Sequence, residues 1–162
     1  MIVYLSLGSN IGDRIANVRL AIAALPDVGV CITRVSQFYE TEPVDYLQQA
    51  WFLNCVVQAE TALLPAELLR QLRAIEARMG SKKAFAKGPR LLDLDILFYG
   101  DQVVDQPDLQ VPHPRLAQRR FVLVPLAEIA PTLTHPVSGK TALQMLQSTS
   151  DLSVVKALES SA

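Results

Sequence analysis

Cysteine, aromatic residues and net charge are all in short supply in this chain, and each shortage removes a class of protein. Only Cys31 and Cys55 are present, 24 positions apart and without the paired spacing that zinc sites use. A disulfide scaffold and a cysteine zinc fold are therefore excluded, and two reduced thiols packed as small hydrophobes are expected. Aromatic residues make up 6% of the chain, which leaves little for the stacking platform of an RNA-binding sheet. The 15 Lys and Arg nearly cancel the 16 Asp and Glu, for a formal charge of -1. Coating of DNA or of an anionic membrane needs a surplus of cations, so neither is expected. No apolar run approaches the ~18 residues of a membrane span, because Pro, Glu or Arg interrupts each one. The first residues, Met1 to Gly8, lack a basic leader and run straight into a turn, so no signal peptide and a cytoplasmic location are expected.

What is present is enough for a core. Half of the 162 residues are hydrophobic and 19% are charged, the balance of one globular domain spanning 1–162 with frayed last residues. Residues 2–7 read as a buried strand. Gly8 to Asp13 supply a turn and a helix N-cap, and Ile15, Val18, Ile22 and Leu25 then recur at helical spacing. The pattern predicts strands over 30–39 and 51–60, separated by a polar loop long enough to be functional. Pro65 opens a helix with Leu68, Leu69, Leu72, Ile75 and Met79 inward, and Gly80 closes it. Residues 92–98 alternate strictly, and a short return strand is expected around Val103. A helix over 121–130 should break or kink at Pro125. A short helix over 140–147 and an edge strand over 152–155 complete the pattern. Strand, helix, strand, strand, helix, strand predicts an α+β, ferredoxin-like sandwich, with helices on one face of an antiparallel sheet and C-terminal additions.

Three features bear on chemistry. Asp93 and Asp95 stand two apart on a strand, so both carboxylates share one face while Leu92, Leu94 and Ile96 take the other. Such a pair either binds a hard cation, Mg²⁺ rather than zinc, or forms the solvated face of an edge strand. The thirteen residues from Arg78 to Arg90 hold five cations (Arg78, Lys82, Lys83, Lys87, Arg90) and no acid, and Arg115, Arg119 and Arg120 follow in a second acid-free stretch. Cations beside a carboxylate pair suit phosphoryl transfer, although a solvated basic loop has the same composition. On the strand over 51–60, Trp51, Leu53, Cys55, Val57 and Ala59 make an apolar face, and Phe52, Asn54, Val56, Gln58 and Glu60 make the other. Phe52 beside Asn54 could stack a flat heterocycle and read its edge, or Asn54 could simply tie down a loop. Gly8 and Gly12 lack the Lys-Ser/Thr of a phosphate loop and read as a strand-turn-helix connection. His113 lies in a proline-bracketed loop, where it could contact phosphate or solvent, and His135 reads as a loop residue.

These motifs, in this order, resemble a known family. Gly88-Pro89-Arg90-Leu91-Leu92-Asp93-Leu94-Asp95-Ile96-Leu97, then Val111-Pro112-His113-Pro114-Arg115 and Arg119 to Pro131, are similar to the 6-hydroxymethyl-7,8-dihydropterin pyrophosphokinases of folate biosynthesis. Gly8 to Asp13, Tyr39 to Pro43 and Phe52-Leu53-Asn54 fit as well. The resemblance implies a ferredoxin-like monomer that transfers pyrophosphate from ATP to the pterin hydroxymethyl group and releases AMP. It implies two Mg²⁺ held at Asp93 and Asp95, with Arg90, Lys82 and Lys83 acting on the transferring group. Lys87, Ile96, His113 and Arg119 match ATP-binding positions, and Thr41, Pro43, Val44, Phe52, Asn54 and Phe121 match the pterin site. Ser81 stands where the family often has Arg, leaving lysines that lack the bidentate arginine fork. Asp45 replaces a common glycine, and Phe52 stands where some members have Tyr. The partners implied are small molecules, with no nucleic acid and no membrane. Two other readings compete: another Mg²⁺-dependent nucleotide transferase, which leaves Phe52, Asn54 and Thr41 without a role, and an RNA-binding module on the same fold.

Overall fold

Alternation along three neighbouring strands builds the centre of the molecule. The computed structural model describes residues 1–81 and 88–158. In chain order the elements are β1 (Ile2–Ser9), α1 (Arg14–Ala24), β2 (Val30–Val35), β3 (Tyr39–Thr41), β4 (Phe52–Thr61), α2 (Pro65–Arg78), β5 (Asp93–Tyr99), β6 (Val104–Gln106), β7 (Leu109–Val111), α3 (Arg120–Ile129), α4 (Ala142–Ser148) and β8 (Val155–Ala157). The sheet runs β5-β1-β4-β3-β8, with β2 also paired to β4. Its ladders among the described residues are antiparallel. The α+β architecture expected from the sequence is therefore present.

One face of the sheet carries Val3, Leu5 and Leu7 of β1, Leu53, Cys55, Val57 and Ala59 of β4, and Leu94 and Ile96 of β5, all buried under α1 and α2. Each Leu hidden there contributes roughly 2 kcal/mol of transfer free energy. Asp13 starts α1 by accepting a hydrogen bond from the Ala16 amide (3.1 Å), and Gly80 ends α2 at a φ of +77° that a β-carbon would strain.

The opposite face departs from the expectation of helices on one side only. Tyr4, Val56, Leu97 and Phe98 form a second core with Val122, Leu123, Leu126 and Ile129 of α3 and Ala142 and Met145 of α4. Val56 is consequently buried, although it stands on the strand face opposite the all-apolar one. A bulge helps: Leu5 pairs with Ile96 and Tyr4 with Phe98, so Leu97 is the extra residue and both Leu97 and Phe98 reach this core. Pro125 does not break α3, which runs unbroken from Arg120 to Ile129 with Pro125 buried inside it.

Other differences are local. The expected strand over 30–39 splits into β2 and β3, where Ser36 bonds both backbone groups of Val56 (2.9 Å each) and redirects the chain. Trp51 precedes β4 and is exposed rather than in the core. The strand after Gly100 pairs forward with β7, and the last strand begins at Val155. Cys55 is buried as expected, whereas Cys31 is exposed. His135 packs edge-on against Phe98, with ring centroids 5.9 Å apart. Among the described residues no helix is long and apolar enough to cross a membrane.

Candidate active site

The second core covers only one end of its face. Towards the other end the same strands change from apolar to polar side chains, and a pocket opens there. The register places its parts. Gly8 pairs with Asn54 on one side and with Asp93 on the other, so Asn54, Gly8 and Asp93 form one row across three strands. Ser6 pairs with Asp95 in the next row. Two strand spacings, about 10 Å, thus separate the amide from the acid pair. Gly8 lies between them with no side chain, and a β-carbon there would strike the Asn54 Oδ1.

The amide is oriented by its neighbour on β3. Asn54 Nδ2 donates to Thr41 Oγ1 (2.6 Å), and both residues are almost fully buried. Asn54 Oδ1 is left as an acceptor and the Thr41 hydroxyl hydrogen as a donor, an arrangement suited to an amide-like edge of a flat ring. Phe52 and Phe121 line the same pocket. The Arg119 guanidinium sits 5.5 Å from the centroid of the Phe121 ring, a cation held at the pocket wall.

The acid pair is steadied from behind. β5 is an edge strand, and α2 and the chain after it take up the backbone groups of Leu94 and of Leu92 just before the strand. Ser81 Oγ donates to Leu92 O (2.6 Å) and accepts from Leu92 N (3.2 Å). Glu76 accepts from Leu94 N (2.8 Å), and Arg73 donates to Leu94 O (2.7 Å) and bonds Glu76. Leu94 lies between the two aspartates, so this clasp sets their backbone. Arg73 also stands 3.8 Å from Asp95. Burial pushes the Glu76 carboxyl above the usual carboxylate range, against the pull of the Leu94 amide and Arg73.

The donor chemistry fits Mg²⁺. Two hard carboxylates are offered, and among the described residues no cluster of three or more His, Cys, Asp or Glu is placed to enclose a metal. A pair that leaves other positions for water and phosphate oxygen suits Mg²⁺ and does not suit a closed structural zinc site.

The structure gathers ten of the candidate residues around one pocket: Thr41, Pro43, Val44, Phe52, Asn54, Arg90, Asp93, Asp95, Arg119 and Phe121. Arg90 is buried, with its guanidinium donating to Gly88 O (3.2 Å). Two others lie elsewhere. The Ile96 side chain is in the first core, because alternation turns it away from the aspartates. His113 lines a neighbouring cleft with Gln110 and Pro112. Its Nδ1 accepts from Arg115 N (3.2 Å), and burial together with the nearby Arg119 charge pushes its pKa down to about 4. Lys82, Lys83 and Lys87 lie outside the described residues. Sequence reasoning missed Ser6 and Gly8, which alternation along β1 places on the Asp93 face, and Arg73 and Glu76, whose reach around a strand edge leaves no local pattern.

Comparison with known proteins points to one family. Residues 4–131 match the family model for 7,8-dihydro-6-hydroxymethylpterin-pyrophosphokinase (HPPK). The 2-amino-4-hydroxy-6-hydroxymethyldihydropteridine pyrophosphokinase of Aquifex aeolicus is 44% identical over 138 residues, 85% of this chain and 86% of that protein. The Bacillus subtilis protein of the same name is 48% identical over 129 residues, 79% and 77% of the two chains. The folic acid synthesis protein fol1 of Pneumocystis carinii is 43% identical, but the match spans only 18% of its length. Wild-type HPPK-DHPS of Plasmodium falciparum has the same fold, with a TM-score of 0.71 at 16% identity over 90% of this chain and 44% of that one. The chain therefore belongs to the 7,8-dihydro-6-hydroxymethylpterin-pyrophosphokinase family, ATP-dependent enzymes that transfer pyrophosphate to a hydroxymethyl pterin in folate biosynthesis.

Proposed function

We propose that this pocket transfers the terminal pyrophosphate of ATP to 6-hydroxymethyl-7,8-dihydropterin and that its residues divide into a pterin half and a phosphate half. The observation that carries this division is the Asn54–Gly8–Asp93 row, which opens an edge-reading amide and a carboxylate onto one cavity. In the pterin half, Phe52 and Phe121 would flank the bicyclic ring. Asn54 Oδ1 would accept from its ring N–H groups, the Thr41 hydroxyl would donate to an adjacent acceptor, and Pro43 and Val44 would border it.

In the phosphate half, Asp93 and Asp95 would hold the Mg²⁺, two ions in all, which when bound supply charge neutralisation along the triphosphate. Arg90 and Arg119 would pair with phosphate oxygens, as would Lys82, Lys83 and Lys87. Neutral His113, with Nδ1 already accepting from Arg115, would offer its Nε2–H. Ile96 would meet the nucleotide through the backbone of its edge strand, since its side chain is in the core. The pterin hydroxymethyl oxygen attacks the β-phosphorus, the bond to AMP breaks, and the hydroxyl proton passes to solvent. The enzyme would work as a cytoplasmic monomer.

The test is to incubate purified protein with ATP, Mg²⁺ and the hydroxymethyl dihydropterin and to identify the nucleotide product. Pterin-dependent AMP supports the reading, whereas ADP, or AMP released without pterin, overturns it.

A further inference from the structure

The turn from Gly8 to Asp13 joins β1 to α1, and a strand-turn-helix connection needs nothing from a buried side chain at its second polar position. Asn10 is nevertheless only 6% exposed. Its Oδ1 accepts from Arg90 N (2.7 Å), and its own backbone N–H donates to Arg90 O (2.9 Å), so both backbone groups of Arg90 are held by one residue. Its Nδ2 donates to Gln49 Oε1 (2.9 Å) and to Ala50 O (3.0 Å). Gln49 in turn donates to Tyr46 O (2.8 Å). Arg90 and Gln49 both line the pocket, from segments 41 residues apart in the chain.

Among common side chains, only a carboxamide offers one acceptor and two donors from a single planar group. Asparagine is short enough to do this from a tight turn, and breaking a buried bond leaves a backbone group unsatisfied. The geometry points to Asn10 as a positioning residue for the reaction: it sets the backbone of Arg90 and fastens the 43–50 segment to it, so that the phosphate wall and the pterin wall take up their places together. This rests on the role proposed above for Arg90.

Two substitutions separate the links. Asn10→Asp keeps the acceptor for Arg90 N but removes both donors to Gln49 and Ala50. Asn10→Ala removes all three side-chain bonds. We expect Asn10→Asp to speed amide hydrogen exchange in 43–51 alone and raise the pterin KM about tenfold, with kcat within about threefold of wild type. Asn10→Ala should speed exchange in both 43–51 and 88–91 and lower kcat at least ~30-fold. In the Asn10→Ala/Arg90→Ala double variant kcat should fall no further than in Arg90→Ala alone, because the two act through one group.

Additive losses in that cycle, equal kcat losses for Asp and Ala, or unchanged exchange in both segments would overturn the proposal. Should Asn10→Ala fail to fold, Gln49→Ala serves instead. It should raise exchange in 43–51 and the pterin KM at an unchanged melting temperature, and no change in either overturns the link. An Arg90→Ala enzyme with undiminished kcat would overturn the Arg90 role and the catalytic half of this proposal, while the exchange data still decide whether Asn10 couples the walls.

Discussion

Asn54 and Asp95 lie on the same face of the sheet and make opposite demands on water. The Asn54 amide is buried and committed on its donor side to Thr41, so its remaining acceptor discriminates among ring edges at the cost of desolvation. Asn54→Ala should raise the pterin KM by roughly 10- to 100-fold, the worth of one or two buried hydrogen bonds, with the ATP KM unmoved; steady-state kinetics with each substrate varied will check this. Asp95 is partly open and stands 3.8 Å from Arg73, so its charge is partly balanced before any ligand arrives. Asp95→Asn keeps the shape and removes the charge. It should lower kcat at least ~10³-fold, several kcal/mol of lost charge stabilisation, and a variant with near-wild-type turnover would refute its place in the site.

At the scale of elements, the edge strand β5 would ordinarily present unpaired backbone groups to solvent or to another chain. Here α2 covers them with a Glu and an Arg one turn apart, and the covering falls on Leu94, between the aspartates. A helix that packs by its leucines thus also fixes the register of two charged side chains on the far face of the sheet. Glu76→Ala should free the Leu94 amide, visible as faster hydrogen exchange at that residue, and lower kcat about tenfold; unchanged exchange would show that the clasp is dispensable. The chain after α4 returns along the same end of the molecule. Val154 exchanges hydrogen bonds with Glu42 (Glu42 N to Val154 O, 3.1 Å; Val154 N to Glu42 Oε1, 2.7 Å), and β8 extends the sheet beside β3. The expected C-terminal addition is therefore a brace for the Tyr39 to Glu42 segment.

At the scale of the whole molecule, two cores share one sheet, and the site occupies the end that the second core leaves uncovered. His113 reports on this packing through pH. Its folded-state pKa, about 4, lies below the ordinary value of 6.5. The unfolded chain therefore binds its proton first as the solution is acidified. Its contribution is intact above pH 6.5, declines as pH falls from 6.5 to 4, and is exhausted below 4, a loss of up to about 3 kcal/mol. His113→Asn should flatten the stability curve across that window in denaturant titrations at several pH values. A curve as steep as wild type would assign the acid sensitivity to other groups.

Much of this protein was legible before its fold. Period-two alternation put Asp93 and Asp95 on one face and Leu94 on the other, helical spacing picked out the buried sides of α1 and α2, and linked motifs pointed to one family. Each of these is local: a strand's pleat or a helix's turn sets where a side chain points whatever lies beyond it. The tertiary structure alone decided what each face would meet. Val56 shares its strand face with polar residues and became core because α3 and α4 settled over it, and the face to which alternation turns Ile96 met α1 and α2 and became the other core. Arg73, Glu76 and Asn10 act across gaps of 18 to 80 residues, distances over which no periodicity in a single chain carries information. A sequence determines which way a side chain faces; only packing determines its partner, because that partner is brought in by the burial of surfaces elsewhere in the chain.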